Sequence, residues 1–280
     1  MNLKLTPKTG FVFAALLLAV SLTLSLSLAF CERRDEREDE KHRGQEEGAV
    51  TTSADYTYQI DISAYANALN TTDEKYLVLA NKTCVIGEEY LPIDLTPLDT
   101  NYTKGGKEIS LAGNAAAAAE ALIREMRACG ITDVSITSGY RSFAYQKTLY
   151  ERYFNEEKAA HPDWSDEQIK SEVLTYSAFP GTSEHQTGLC VDLITDEMVG
   201  LWNFGSETPD NPYDKGFTET RAFEWLKDNA HKFGFILRYP ENKVDLTGYA
   251  YESWHYRFVG IDAAAEIYER SVTLEEYLNK

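Results

Sequence analysis

Apolar positions fall into three regimes along this chain. Phe11 to Phe30, FVFAALLLAVSLTLSLSLAF, is apolar or hydroxylated throughout. Glu32 to Glu47, ERRDEREDEKHRGQEE, has almost no apolar residue. From about Tyr56 onward, apolar and polar residues alternate with the periods of helices and strands. In that third regime Tyr76 to Leu79 is a β-prone run, part of an N-terminal segment that wraps the core. Asn114 caps the alanine-rich helix AAAAAEALIREMRACG, with Gly130 as its stop. DVSITSG, residues 133–139, reads as a short strand ending in a turn. Ser142 then starts a helix carrying Tyr145, Leu149, Tyr150 and Tyr153 at helical spacing. Ser165 to Gln168 fits a capping box for a helix running to about Tyr176.

Pro180 and Gly181 break the chain before a strand, LCVDLIT. TRAFEWLKDNAHKFGF is an amphipathic helix closed by Gly234, and FILRYP a strand. GYAYESWHYRFVG alternates aromatic and polar residues as an antiparallel strand does. DAAAEIYER and TLEEYLNK form short terminal helices, the second opened by the capping box Thr273 to Glu276. Helices come first and strands cluster later. The expected class is therefore α+β, an antiparallel sheet flanked by helices.

The first two regimes define the expected organisation: residues 1–30 as a membrane anchor or signal peptide, 31–55 as a charged linker, and 56–280 as the folded domain. The apolar run is long enough to cross a bilayer at about 1.5 Å per residue. An uncleaved anchor over residues 11–30 and a cleaved secretory signal are both consistent with it. Lipid attachment at Cys31 is a third reading, although bulky Phe30 stands where a small residue normally precedes such a cysteine. All three place the domain outside the cytoplasm, membrane-anchored or secreted. The mixed charge run buries nothing and serves as a spacer.

A net charge of −18 excludes a nucleic-acid partner, which would require a basic patch for phosphates. Cys31, Cys84, Cys129 and Cys190 form no CxxC pair, so a cysteine zinc site is not indicated. A disulfide between two of Cys84, Cys129 and Cys190 stands beside a reading of all three as free buried thiols.

Of five histidines, His42 lies in the spacer and His161 in a polar stretch. His231 sits at a helix end, where a cation suits the dipole. His185 and His255 differ, because each lies beside carboxylates in a segment that should be buried or line a cleft. Two imidazoles and one carboxylate suit Zn²⁺ with an open position for water. His185 and Asp192, with six residues between them, could leave a loop, turn at Gly188 and return on a strand. His255 would bring the third ligand from the neighbouring strand. Glu252, three residues before His255, would then be the general base, provided that a bulge brings both to one pocket. Each of these residues also has a plainer role, a hydrogen-bonded core histidine or a helix-capping aspartate. Arg141, at a strand-to-helix junction, can fork onto a carboxylate of substrate or of the protein itself.

SGYRSFAYQ, PGTSEHQTGLCVDL, GFILRYP and YESWHYRFVG, in that order, resemble the VanY-type D-alanyl-D-alanine carboxypeptidases. The joint S-x-H-x6-D and E-x-W-H motifs carry the resemblance, which covers roughly Lys75 to Gly260. It implies a zinc site in a cleft on the sheet, with His185, Asp192 and His255 as metal ligands and Glu252 as the catalytic base. It implies Arg141 as the anchor for the substrate's terminal carboxylate or for transition-state charge, with Gln146 and Ser183 as further substrate contacts. The expected partner is a peptidoglycan stem peptide ending in D-Ala-D-Ala, from which the terminal D-Ala is removed. A D,D-dipeptidase, an L-Ala-D-Glu endopeptidase or a non-catalytic wall-binding module are the alternatives. The loops FNEEKAAHPDWSDEQ and NFGSETPDNPYDKG would decide among them. Cys190 stands where the family usually has alanine, Ser253 where proline is common in E-P-W-H, and Phe258 where tyrosine is frequent.

Overall fold

The computed structural model describes residues 56–196 and 216–279. The chain divides into units Met1–Glu47 and Gly48–Lys280, and all described residues belong to the second. The apolar run 11–30, Cys31, the charged run and residues 197–215, which carry most of NFGSETPDNPYDKG, lie outside them.

The central sheet has four antiparallel strands in the order β3-β4-β6-β5. These are β3 (Val134–Ser138), β4 (Cys190–Thr195), β5 (Phe235–Tyr239) and β6 (Glu252–Phe258). A small antiparallel pair precedes them, β1 (Leu95–Pro97) with β2 (Ser110–Ala112), which the sequence pattern does not signal. The helices include α1 (Gly113–Ala128), α2 (Phe143–Ala160), α3 (Asp166–Tyr176), α4 (Arg221–Asn229), α5 (Ile261–Arg270) and the single turn α6 (Leu274–Tyr277), besides single turns at Ala66–Leu69 and Val244–Thr247. The expected α+β class, an antiparallel sheet flanked by helices, is what forms.

Side chains alternate across a strand, so each face of this sheet has its own chemistry. One face presents Val134, Ile136, Val191, Leu193, Tyr256 and Phe258 to the main core. Helix α1 lies in that same core, and its run of buried alanines lets it sit close to its neighbours. Each buried Leu or Ile there contributes about 1.5–3 kcal/mol. The other face carries Cys190 and Asp192 on β4, His255 and Arg257 on β6, and Ile236 and Arg238 on β5. The register pairs Asp192 with His255, Cys190 with Arg257, and Ile236 with Arg257. Apart from Ile236 these are polar positions, nearly all buried. Ile236 joins a smaller apolar cluster with Ala263, Ala264 and Ile267 of α5 and Leu274 of α6.

Several local expectations hold at the level of single caps. Ser142 accepts from the Tyr145 amide, and both Ser165/Gln168 and Thr273/Glu276 form full capping boxes. Others do not hold. Glu74–Leu77 is a 3-10 turn rather than a strand, because the Asp73 side chain caps it through the Lys75 amide. Helix α1 begins at Gly113, with Ala112 in the cap position, so Asn114 lies inside its first turn. Residues 154–168 are not a cleft loop. They are the end of α2, a tight turn in which His161 stacks on Trp164, and the start of α3.

His231 also departs from expectation. It stacks on Tyr268, and burial, reinforced by Lys232, lowers its pKa to about 4, so the ring is neutral at pH 7. Cys84, Cys129 and Cys190 are free thiols with no disulfide among them.

The start of the described chain is held by one buried carboxylate. Glu125 of α1 accepts from the Gln59 amide at 2.9 Å, the Ile60 amide at 3.0 Å and the Tyr56 hydroxyl at 2.9 Å. Glu125→Ala strands these donors and should cost about 2–4 kcal/mol. Urea unfolding should show a lower midpoint with an unchanged slope; a shift worth under about 0.5 kcal/mol would contradict this role.

Candidate metal centre

The site is built on the polar face of the sheet and closed by the segment before β4. Glu184–Thr187 forms a single 3-10 turn, ended by Gly188 in the left-handed region at φ 69°. A side chain at Gly188 would be strained there and would press on Ala112, Leu95 and Pro92. The bend expected at Gly188 therefore exists, and the β1/β2 pair braces it through the Ala112 amide bonded to the Gly188 carbonyl.

The end of β3 locks onto the same turn. The Arg141 amide donates to the His185 carbonyl, and His185 Nδ1 lies 2.7 Å from the Gly139 carbonyl. Gly139 has no room for a Cβ, which would fall 2.6 Å from Ile109. A carbonyl only accepts, so His185 carries its proton on Nδ1 and turns the Nε2 lone pair inward. That atom is 3.2 Å from Asp192 Oδ2.

His255 has the opposite tautomer. Its Nε2 faces Glu184 Oε2 at 3.2 Å, which places the proton there. Its Nδ1 lies 3.1 Å from Asp192 Oδ1 and 3.5 Å from Glu252 Oε2. The two imidazole rings are nearly perpendicular, with centroids 5.0 Å apart. Asp192 Oδ1 is buried and meets His255 Nδ1 only when that nitrogen carries a proton. The inward nitrogens of the two imidazoles and the Asp192 carboxylate therefore converge on one pocket.

Such a cluster requires a cation. With protein groups alone, protons fill that role. Burial and Arg141 oppose protonation of His185, yet Asp192 and Cys190 outweigh them and raise its pKa to about 9. Burial likewise opposes a charge on His255, but Cys190 and Asp192 lift it well above its ordinary value. A divalent ion would displace those protons. Two donors at about 2.0–2.1 Å from one tetrahedral ion stand about 3.3 Å apart. The N···O separations of 3.1 and 3.2 Å, one to each oxygen of Asp192, and the approach of the two imidazoles' ligand atoms to within 4.8 Å are compatible with a zinc ion held between these residues.

Glu252 reaches the pocket as the spacing required. Pairing shifts from Leu237↔Tyr256 to Tyr239↔Glu252, two residues on β5 against four on β6. This irregularity puts Glu252 and His255 on the same side. Glu252 keeps about a quarter of its side-chain surface accessible. Desolvation raises its carboxyl above the usual range, with Asp192 adding and His255 opposing.

Arg141 donates from Nη2 to Asp192 Oδ2 at 2.9 Å and from Nε to Ser138 Oγ at 3.0 Å. A quarter of its side chain stays accessible, and among the described residues Nη1 has no hydrogen-bond partner. Ser183 is buried immediately before the 3-10 turn, and its side chain makes no cap bond. Gln146 is buried, its amide nitrogen bound to the Ala178 carbonyl at 2.8 Å. Its Oε1 is buried without a hydrogen-bond partner among the described residues.

The sequence reading gives Glu184 no role, and the structure gives it a central one. Besides meeting His255, its Oε1 accepts from Arg238 Nε at 2.8 Å and from Arg257 Nη1. Burial alone would raise its pKa, but the two guanidiniums hold the carboxyl well below the usual range. Arg238 also forks onto Glu275 through Nη1 and Nη2, at 2.9 and 2.6 Å. The only hint in sequence is a glutamate next to a candidate ligand, followed far downstream by two arginines in strands.

Two imidazoles, a carboxylate and a more accessible glutamate beside them are the parts of a metal-dependent hydrolase. The family model described as VanY, D-alanyl-D-alanine carboxypeptidase, matches residues 108–261, and the chain belongs to that family. A D-alanyl-D-alanine carboxypeptidase of Enterococcus faecalis is 40% identical over 153 residues, 55% of this chain and 50% of the relative. The chain thus spans about half the length of that curated relative. Among solved structures, a vancomycin-resistance D,D-pentapeptidase VanY from a VanB-type cassette, in complex with Zn(II), is 34% identical with a TM-score of 0.56. The match covers 74% of this chain and 100% of that one. The LD-carboxypeptidase LdcB is 32% identical with a TM-score of 0.59, covering 75% of this chain and 89% of that one.

Glu184→Gln keeps the shape of the side chain but leaves Arg238 and Arg257 with one carboxylate instead of two. It should destabilise the domain by about 3–5 kcal/mol. It should also weaken metal binding about 10–100-fold by releasing His255. Denaturation and chelator competition read the two effects separately; a variant matching wild type in both would refute the role.

Proposed function

We propose that this chain is a zinc-dependent D-alanyl-D-alanine carboxypeptidase that removes the terminal D-Ala of peptidoglycan stem peptides. The observation that carries the reading is the convergence of His185 Nε2, His255 Nδ1 and Asp192 with Glu252 alongside. His185, Asp192 and His255 would hold the ion. Zinc bound there would supply Lewis acidity, bringing the pKa of a water towards about 7 and polarising the scissile carbonyl.

The chain's own residues do the rest. Glu252, a quarter accessible and with a raised pKa, takes a proton from the attacking water. As the new C–O bond forms and the peptide C–N bond breaks, Glu252 passes that proton to the leaving amine. The products are a shortened peptide and free D-alanine. Arg141 has a guanidinium edge without a partner among the described residues, suited to the substrate's terminal carboxylate or to charge developing on the carbonyl oxygen. Its bond to Asp192 ties that edge to the ligand set. Ser183 and Gln146 are further substrate contacts in this reading, Ser183 beside the same turn and Gln146 through its amide, which also holds the Ala178 carbonyl.

The substrate lies outside the cytoplasm. The apolar run 11–30 supports that location, as an anchor or a cleaved signal, with 31–55 as the spacer and 56–280 as the catalytic domain.

Digestion of a stem pentapeptide ending in D-Ala-D-Ala, read by mass spectrometry, tests the reading. Loss of one alanine is expected. Loss of two would mark a dipeptidase, and a cut inside the stem an endopeptidase. Action only on the tetrapeptide would mark L,D specificity, as LdcB is named for, and no cleavage would mark a binding module. Glu252→Ala should retain zinc and lose about 10²–10⁴-fold in turnover. His185→Ala should lose the zinc itself by metal analysis. Full activity in the first variant or full zinc in the second would overturn the assignments.

A further inference from the structure

We propose that the surface of the α2–α3 hairpin beside Trp164 is a saccharide-binding site, and that its ligand is the neutral glycan strand from which stem peptides hang. The choice of ligand rests on the reading of the substrate as a stem peptide. It adds the part of the wall polymer that the metal centre does not touch. Trp164 lies in the turn between α2 and α3 and is 36% exposed. His161 stacks on the indole, with centroids 3.9 Å apart and an interplanar angle of 10°, which fixes the plane of the ring. Beside it opens a hollow of about 200 Å³, lined by Trp164 and by Gln168, Ser171 and Glu172 of α3. These three stand at i, i+3 and i+4, on one face of the helix.

The chemistry of the hollow selects its ligand. Gln168 Oε1 is held by the Ser165 amide at 3.0 Å and the Ser165 hydroxyl at 3.1 Å, so its Nε2 is a placed donor. Among the described residues that nitrogen, the Ser171 hydroxyl and the Glu172 carboxylate have no hydrogen-bond partner. A flat aromatic plane edged by a donor, a hydroxyl and an acceptor-only carboxylate matches a pyranose ring, which has C–H faces and a rim of hydroxyls. The lining holds no cation, and Glu172 repels anions, so a phosphate-rich polymer does not fit.

The aromatic strip continues towards the metal centre. Tyr176, one turn beyond Glu172 on α3, is 48% exposed, and Phe179 is 44% exposed. The Phe179 carbonyl accepts from the Thr182 amide, at the entry to the turn that carries His185. At 1.5 Å per residue, α3 extends the strip over about 15 Å. A glycan lying along α3 thus runs towards the segment that builds the metal centre.

The test titrates the full chain calorimetrically with peptide-free glycan strands, prepared by amidase digestion of peptidoglycan. Wild type should bind them with an affinity that salt does not change. Trp164→Ala and Glu172→Ala should each weaken binding at least about tenfold, with unchanged far-ultraviolet circular dichroism. Both variants should also lose about tenfold in kcat/KM, through KM, on glycan-linked pentapeptide while keeping wild-type kinetics on the free pentapeptide. Wild type that does not bind the strands, binding that falls steeply with salt, or variants that bind as wild type does would overturn the proposal. Equal losses on the free pentapeptide would also overturn it. Cleavage of free pentapeptide by wild type keeps the functional reading intact in each of those cases. A chain that binds strands through Trp164 and Glu172 but cleaves no peptide overturns the functional reading and keeps the saccharide site.

Discussion

The carboxylate of Glu184 is the interaction on which the rest of the structure depends. It sits with no exposed side-chain surface between two guanidiniums, Arg238 and Arg257, that are themselves fully buried. Its second oxygen orients His255. Arg238 continues to Glu275, whose carboxylate also accepts from Asn81, and Arg257 continues to the carbonyls of Tyr76 and Val78. One buried network therefore joins the 3-10 turn, two strands, the C-terminal helix and the N-terminal wrap. Two carboxylates balance two guanidiniums, which makes a charged core tolerable. Removing any one member leaves the others desolvated and unpaired.

That network also orients one side of the candidate metal centre. Each imidazole is fixed through its outward nitrogen, His185 by the Gly139 carbonyl and His255 by Glu184. The inward nitrogens are consequently set, and they are different atoms of the ring, Nε2 and Nδ1. Arg141 fixes Asp192 from a third direction. Ligands held in this way need little reorganisation when an ion arrives. Glu252 is placed by backbone irregularity instead, at the end of β6 where pairing with β5 slips. It stays the most accessible of the acidic groups around the centre.

The strands, the main helices and their caps were legible from periodicity and capping residues, because those signals are local. Two short motifs also single out His185, Asp192, His255 and Glu252, and the structure brings these four side chains together. Two further features were not legible. The β1/β2 pair is three residues per strand, too short for an alternating pattern to register. Glu184 depends on Arg238 and Arg257, 54 and 73 positions away, and nothing in local sequence reports such a pairing. Cys190 was visible as an oddity but without a reason. Only the register of β4 against β6 puts it on the ligand face. His231 was misjudged because the helix-end argument considers the dipole and ignores burial against Tyr268.

Cocrystallisation with zinc, with diffraction recorded across the zinc absorption edge, tests the central claim most directly. The account predicts one anomalous peak bonded to His185 Nε2, His255 Nδ1 and Asp192, with Glu184 still on His255 Nε2. A peak elsewhere in the domain, or one bonded to His255 through Nε2, would contradict it.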